Sequence, residues 1–461
     1  MTEPHGEWRD GDEWAEEARR HFENGRLADA EAALRQALVR NPDRPEWHFH
    51  LGRLLEQTDR AGEALESYLR CHELDPDAPE PLLAAAGATE AEGDESNALR
   101  LVEQAVSLDR RRDESHARRV ALLVSLERLE DAKDAFYEAQ EFVEKPVLSL
   151  IAMAHGLEGA GETARAAWCL REALRHDGDM PEVRTMYARC LARQGEHPKA
   201  LQNYMHVLRE DPGDIAALLG CADLLATLGR DGEAAEKLHR VVELEPANGR
   251  AHHMLGVLEL RASRFDRAAL EFELVLKLDP ERTGVQLDLA EAQCRRGRMS
   301  DARTAMNAFL AGRAASDDQP TPPEAIARAA GLLMALGMWT DAATILPGLA
   351  EACADRADVW RALARARFES GDLDGGVAAS ERALGIEPGC PICHHNLALA
   401  ALRRRDVAAA WRWVTLGLRA ARTDEGLRRL RSRVLAARAI SALRGIRDWL
   451  LPRGRGADLR R

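Results

Sequence analysis

An all-α solenoid of repeated helix pairs is the fold class that the sequence predicts, and three observations predict it. Alanine stands at 30, 64, 98, 132, 166, 200, 234, 268 and 302, a constant spacing of 34 residues. It returns at Ala342 after six extra residues, and the frame continues through Gly376 and Ala410. Twelve residues before each of these lies a second small residue, Ala or Gly in eleven of twelve copies, from Ala18 and Gly52 to Ala398. Between the two sites glycine recurs in eight copies, from Gly25 to Gly371.

With the recurrent alanine as position 20, the first unit is residues 11–44. Its first helix is predicted from apolar residues at positions 7 and 11, with the small residue at 8, as in Leu51, Gly52 and Leu55. Glycine at position 15 permits the turn that ends this helix. The second helix follows from apolar positions 24 and 28, such as Phe272 and Leu276. Proline at position 32 (Pro42, Pro76, Pro212, Pro246, Pro280, Pro388) closes it. The small residues at 8 and 20 suit two antiparallel helices whose backbones come close. Helices of about twelve to fifteen residues are marginal alone, so stacking must stabilise them.

The order along the chain is then a tail over 1–10, nine units over 11–316, an insertion at 317–322, three units over 323–424, and a basic capping helix and tail over 425–461. The stretch 314–323, AASDDQPTPP, has prolines at 320, 322 and 323 that cannot continue a helix, which makes it a hinge or a longer loop.

These residues resemble the tetratricopeptide repeat family. Trp14 and Trp360 match its aromatic at position 4, and Leu51-Gly52 and Leu255-Gly256 match its Leu-Gly pair. Phe136, Tyr204 and Phe272 match the aromatic at 24, and Ala37, Ala105, Ala139, Ala173 and Ala383 match the alanine at 27. The likeness covers residues 11–424 in twelve units; the fourth and fifth lack the proline, and Ala314 and Ala354 replace it in the ninth and tenth. The resemblance implies a right-handed superhelix that binds a peptide or protein segment and performs no catalysis. Its chaperone-binding carboxylate clamp and its glycosyltransferase asparagine ladder are not reproduced here.

Composition narrows the function. The net charge is −13, but residues 425–461 hold eleven Arg against Glu425, Asp448 and Asp458, a net of +8, which leaves −21 on the other 424 residues. So acidic a body argues against general nucleic-acid binding. Only five of the 64 basic residues are Lys, a skew that fits GC-rich bacterial coding. The sequence shows no long apolar span and no signal-like leader, so the expected location is the cytoplasm.

Catalytic chemistry has little to stand on: there is no P-loop, nucleophile elbow, dinucleotide fingerprint or HExxH motif, and no cofactor is expected. Cys390-Pro-Ile-Cys393-His394 has the CxxCH spacing that resembles haem attachment, and its two thiols and imidazole are weak candidates for metal or a thiol switch. Against this, His394 falls at position 4, where His116 and His252 supply a similar ring, though His48 does not quite. Cys71 and Cys221 take apolar positions and read as small buried hydrophobes.

A binding face is more legible. On each first helix, positions 2, 5, 9 and 12 form a stripe apart from the packed one, and the resemblance makes this the peptide-binding groove. The sixth and eighth units place Arg189, Arg193, Arg250, His253 and Arg261 on or beside it; the eleventh and twelfth place Arg361, Arg365, Asn396 and Arg403 there. Elsewhere the stripe is small or acidic, as at Glu46, Glu80, Glu90 and Glu114. The arginines suit carboxylates of a partner with acidic groups. After the twelfth unit, Leu427, Leu430, Val434, Ala437, Ile440, Leu443, Ile446 and Leu450 recur at helical spacing among arginines. Such a helix would cap the last apolar face, and its cations offer contact with an anionic membrane, which would suit an accessory subunit of an envelope or secretion assembly.

Overall fold

The computed structural model describes residues 10–178, 180–280, 282–315 and 321–450, with side chains described as far as residue 443. The 1–10 tail, apart from Asp10, and most of the 317–322 insertion lie outside them, as do residues 451–461. Among the described residues there are 25 helices and no strand.

The first 24 helices form twelve successive pairs. They begin with α1 (Gly11–Glu23) and α2 (Leu27–Arg40), α3 (Pro45–Gln57) and α4 (Ala61–Leu74), α5 (Glu80–Ala91) and α6 (Glu95–Leu108), and α7 (Asp113–Ser125) and α8 (Leu129–Phe142). Next come α9 (Val147–Gly159) and α10 (Thr163–His176), α11 (Pro181–Arg193) and α12 (His197–Glu210), α13 (Ile215–Thr227) and α14 (Asp231–Leu244), and α15 (Gly249–Arg261) and α16 (Phe265–Leu278). The series ends with α17 (Thr283–Arg295) and α18 (Met299–Ala315), α19 (Pro323–Ala335) and α20 (Trp339–Ala352), α21 (Ala357–Ser370) and α22 (Leu373–Ile386), α23 (Pro391–Arg403) and α24 (Val407–Ala420), and the long α25 (Glu425–Leu450).

The repeat positions carry the physics that the sequence suggests. The alanine at position 20 is fully buried in every copy that has it, from Ala30 to Ala410. At Gly52 and Gly256 position 8 is small because an aromatic ring from the second helix lies against it. A Cβ at Gly52 would stand 2.6 Å from Tyr68, and one at Gly256 would stand 2.5 Å from Phe272. Position 15 has positive φ in all twelve units. Eight carry glycine, and Asp59, Glu127, Ser263 and Arg405 adopt the same turn with φ between 56° and 63°.

Position 4 has a role that residue type alone conceals. In six units its side chain donates a hydrogen bond across the repeat boundary to the carbonyl six residues earlier, at position 32. His48 Nε2 reaches the Pro42 carbonyl at 2.8 Å, His116 that of Arg110 at 2.9 Å, and His252 that of Pro246 at 3.0 Å. Trp360, Arg184 and Gln286 do the same with Ala354, Gly178 and Pro280. His48 therefore belongs in the class that the sequence placed it just outside. The carbonyl at the end of one helix pair loses its intrahelical partner, and an N–H from the next pair satisfies it.

Contacts divide the chain into two compact units, one up to Leu244 and one from Glu245. In the first, one apolar cluster runs from Ala18 to Cys190. In the second, a cluster runs from Leu287 to Ala379, taking in Phe309 of α18 and Ala329 and Leu333 of α19, so apolar packing continues on both sides of the insertion. Further on, α25 buries Leu427, Leu430 and Val434 against the last pair and so covers its open apolar face. Among the described residues no helix is long and apolar enough to cross a membrane.

Candidate functional site

The first-helix stripe is built as a ladder of charges between neighbouring repeats. Arg189 of α11 grips Glu158 of α9 with two hydrogen bonds of 2.6 Å, and Arg193 adds a contact of 3.1 Å to the same carboxylate. Burial alone would raise Glu158, but the hydrogen bond from Arg189 and the charges of Arg189 and Arg193 outweigh it and hold the carboxyl below its usual range. Arg118 bonds Glu90 at 3.0 Å, and Arg112 pairs with both Glu80 and Glu114. Glu80, Glu90 and Glu114 of the acidic stretch are thus paired with arginines that the sequence pattern did not single out. Their signal was present: opposite charges set roughly one repeat apart meet on adjacent first helices.

The second unit repeats the device. Asp288, 8 % exposed, accepts hydrogen bonds from His253 Nε2 and Arg328, both at 2.8 Å, and Arg328 also reaches Glu291 at 2.7 Å. Burial pushes the Asp288 carboxyl up, yet the His253 and Arg328 bonds leave it below the ordinary value. Arg361 bonds Glu387 at 2.5 Å. Arg261 is engaged within the chain. Of the nine groove residues predicted, Arg189, Arg193, His253 and Arg361 therefore already hold carboxylates. Arg250 is exposed and makes no ion pair with a described residue.

Three of the remaining residues come together. Arg365, Asn396 and Arg403 line one cleft of about 130 Å³ between α21 and α23, with Phe368, Glu369 and Leu399. Arg365 lies 5.3 Å over the Trp339 ring, which holds the guanidinium without neutralising it. Arg403 is exposed, and neither arginine makes a salt bridge to a described residue. Two cations, an amide and the Glu369 carboxylate thus share a small cleft with the apolar side chains of Phe368 and Leu399.

A second cleft, of about 550 Å³, opens between α1 and α3, where no site was expected. Phe22, Leu34, Trp47 and Leu54 form its apolar lining; Glu16, Glu46, His50 and Arg53 bring polar groups. Burial, then the charge of Arg53, depresses the His50 imidazole, so it is neutral at pH 7. The stripe here read as acidic because Glu46 stands at position 2; Phe22 lies on the stripe at position 12, and Trp47, at position 3, falls outside both stripes.

The CxxCH stretch starts α23. Cys390 is its N-cap residue, and Cys390, Cys393 and His394 are all buried. Among the described residues no group of three or more His, Cys, Asp or Glu is placed to hold a metal ion. His394 Nδ1 bonds the Cys390 carbonyl at 2.8 Å, and its ring meets Trp413 edge-on. Burial would raise the Cys390 thiol, but hydrogen bonds from the Cys393 backbone and from Arg361, 3.7 Å away, bring it below the usual value. Burial, with Cys390 beside it, pushes Cys393 up to about 12.

The fold and this face define a class: a repeat scaffold whose surface is a series of neighbouring first helices. Tetratricopeptide repeat profiles match residues 16–79 and 151–215, and a second pair of matches covers 192–258 and 259–311. The chain is a tetratricopeptide repeat protein. It is 25 % identical over 206 residues to the cellulose synthase operon protein C of Pseudomonas fluorescens, covering 43 % of this chain and 16 % of that one. It is 26 % identical over 210 residues to the anaphase-promoting complex subunit 7 of Arabidopsis thaliana, covering 43 % and 36 %. The chain thus spans well under half the length of these curated relatives. Among solved structures, yeast Tom70 aligns over 94 % of this chain and 96 % of its own, at 16 % identity and a TM-score of 0.37.

Proposed function

We propose that this chain is a non-catalytic interaction scaffold that holds an acidic peptide segment of a partner protein on its first-helix face. The observation that carries this reading is the cleft between α21 and α23. Arg189, Arg193 and Arg361 hold carboxylates of their own chain, whereas Arg365 and Arg403, like Arg250, make no salt bridge to a described residue, and these two share a cleft with Asn396. Two guanidiniums and an amide suit a carboxylate, and the fork geometry of arginine makes such a contact directional. Phe368 and Leu399 give a neighbouring apolar side chain somewhere to go. The Arabidopsis thaliana relative is a subunit of the anaphase-promoting complex, which is in keeping with a scaffold.

The test is selection from a random peptide library followed by fluorescence anisotropy. Selected peptides are expected to be rich in Asp and Glu, and Arg365→Ala/Arg403→Ala is expected to weaken them at least about tenfold, the cost of about one charge-assisted contact. Peptides that bind both proteins equally would remove this cleft from the reading. Arg189→Ala/Arg193→Ala serves as the comparison, because those cations are already committed to Glu158.

A further inference from the structure

The helix α25 does two things along its length. Up to Val434 it is a cap: Leu427 and Val434 are fully buried, and Leu430 nearly so. Arg438 still touches the body, 4.9 Å over the Trp411 ring of α24. Beyond Val434 the apolar residues change character. Leu435 is 46 % exposed, Ile440 51 % and Leu443 66 %, although a cap would need none of them outside. The backbone stays helical to Leu450, and the sequence from 435 to 450 adds Ile446, Trp449 and Leu450 with Arg438, Arg444 and Arg447. The whole helix is about 39 Å long, of which the cap uses less than half.

We propose that the distal part of α25 is a docking element for an anionic lipid surface. Charge disfavours pairing with the same helix of a second copy. Residues 425–461 carry eleven arginines against three acids, so two such helices laid together would repel, whereas an anionic bilayer attracts the cations and takes in the apolar side chains. The opposite charge on the other 424 residues confines the contact: a body of −21 is pushed away from the surface that attracts the helix. The helix therefore lies in the headgroup region and does not span the bilayer.

The experiment is co-sedimentation of the full chain with two kinds of vesicle, one of phosphatidylcholine alone and one with about 30 % phosphatidylglycerol. The wild type is expected to sediment with the anionic vesicles only, and to be released at about 0.5 M salt. Ile440→Asp/Leu443→Asp, at exposed positions, is expected to keep the wild-type melting temperature and lose at least about tenfold in partitioning. Equal binding to both vesicle types, or to neither, would overturn the proposal. So would a dimer mass by light scattering that the same double variant converts to monomer, since the apolar residues would then be covered by a second copy.

Discussion

At the residue scale, the turn at position 15 is where sequence and backbone disagree in an informative way. All twelve units need positive φ there, and four supply it with a residue that has a Cβ. Left-handed backbone costs an L-residue about 1–2 kcal/mol, partly offset by the larger entropy that glycine loses on folding. Replacing Asp59, Glu127, Ser263 and Arg405 together by Gly should therefore raise stability by a few tenths to about 1 kcal/mol per site. A thermal melt of the fourfold variant checks this, and an unchanged or lower midpoint would contradict the strain argument. Glu158 gives a second prediction, with a sign set by pH. Its carboxyl is lower in the folded protein than the ordinary 4.5, so its stabilisation is full above that value and is lost as pH falls through the folded one. Glu158→Gln should cost about 2 kcal/mol at pH 7, and the gap to wild type should narrow in denaturant titrations as pH falls below the ordinary 4.5. Residues set by volume were readable in sequence, since the buried alanines and the Gly52–Tyr68 contact follow from size alone. Residues set by a bond were not: histidine, tryptophan, arginine and glutamine at position 4 look unrelated until the carbonyl they share is seen.

At the scale of elements, the helices and their order were legible because period and packing are the same information in a repeat. The candidate site was legible only in part. The stripe positions 2, 5 and 9 were found, but a stripe shows which residues share a face and not which carboxylate each arginine already holds. Glu158 and Asp288 sit on neighbouring first helices about one repeat from their partners, and a one-helix reading does not reach them. The cap makes a prediction of its own. Leu427 and Leu430 are the buried contacts by which α25 closes the last pair, and Leu427 also fills the space beside Gly417. Leu430→Ala should lower stability by about 2–4 kcal/mol, while Leu443→Ala, at an exposed site, should change it by less than about 0.5 kcal/mol. Paired denaturant titrations of the two variants distinguish the capping part of the helix from the rest.

At the scale of the whole molecule, stability is a sum of neighbouring contacts with no single core to lose. The unit up to Leu244 contains its own apolar cluster, from Ala18 to Cys190. Expressed alone, residues 1–244 should keep the helical circular-dichroism signal per residue of the full chain and melt cooperatively; a largely unfolded spectrum would mean that the cluster depends on the rest of the chain. The bond from position 4 back to position 32 has a consequence for how such a chain can change length. Where position 4 carries a donor, the unit is tied to the one before through the same two positions, so removing 34 consecutive residues from within the regular units rejoins equivalent positions. Removing 33 leaves one residue too many at the junction and turns the helix there by about 100° against its neighbours. Gain and loss of whole repeats is therefore open to this molecule, and drift by single residues is not, except where a loop such as the 314–323 stretch absorbs the mismatch.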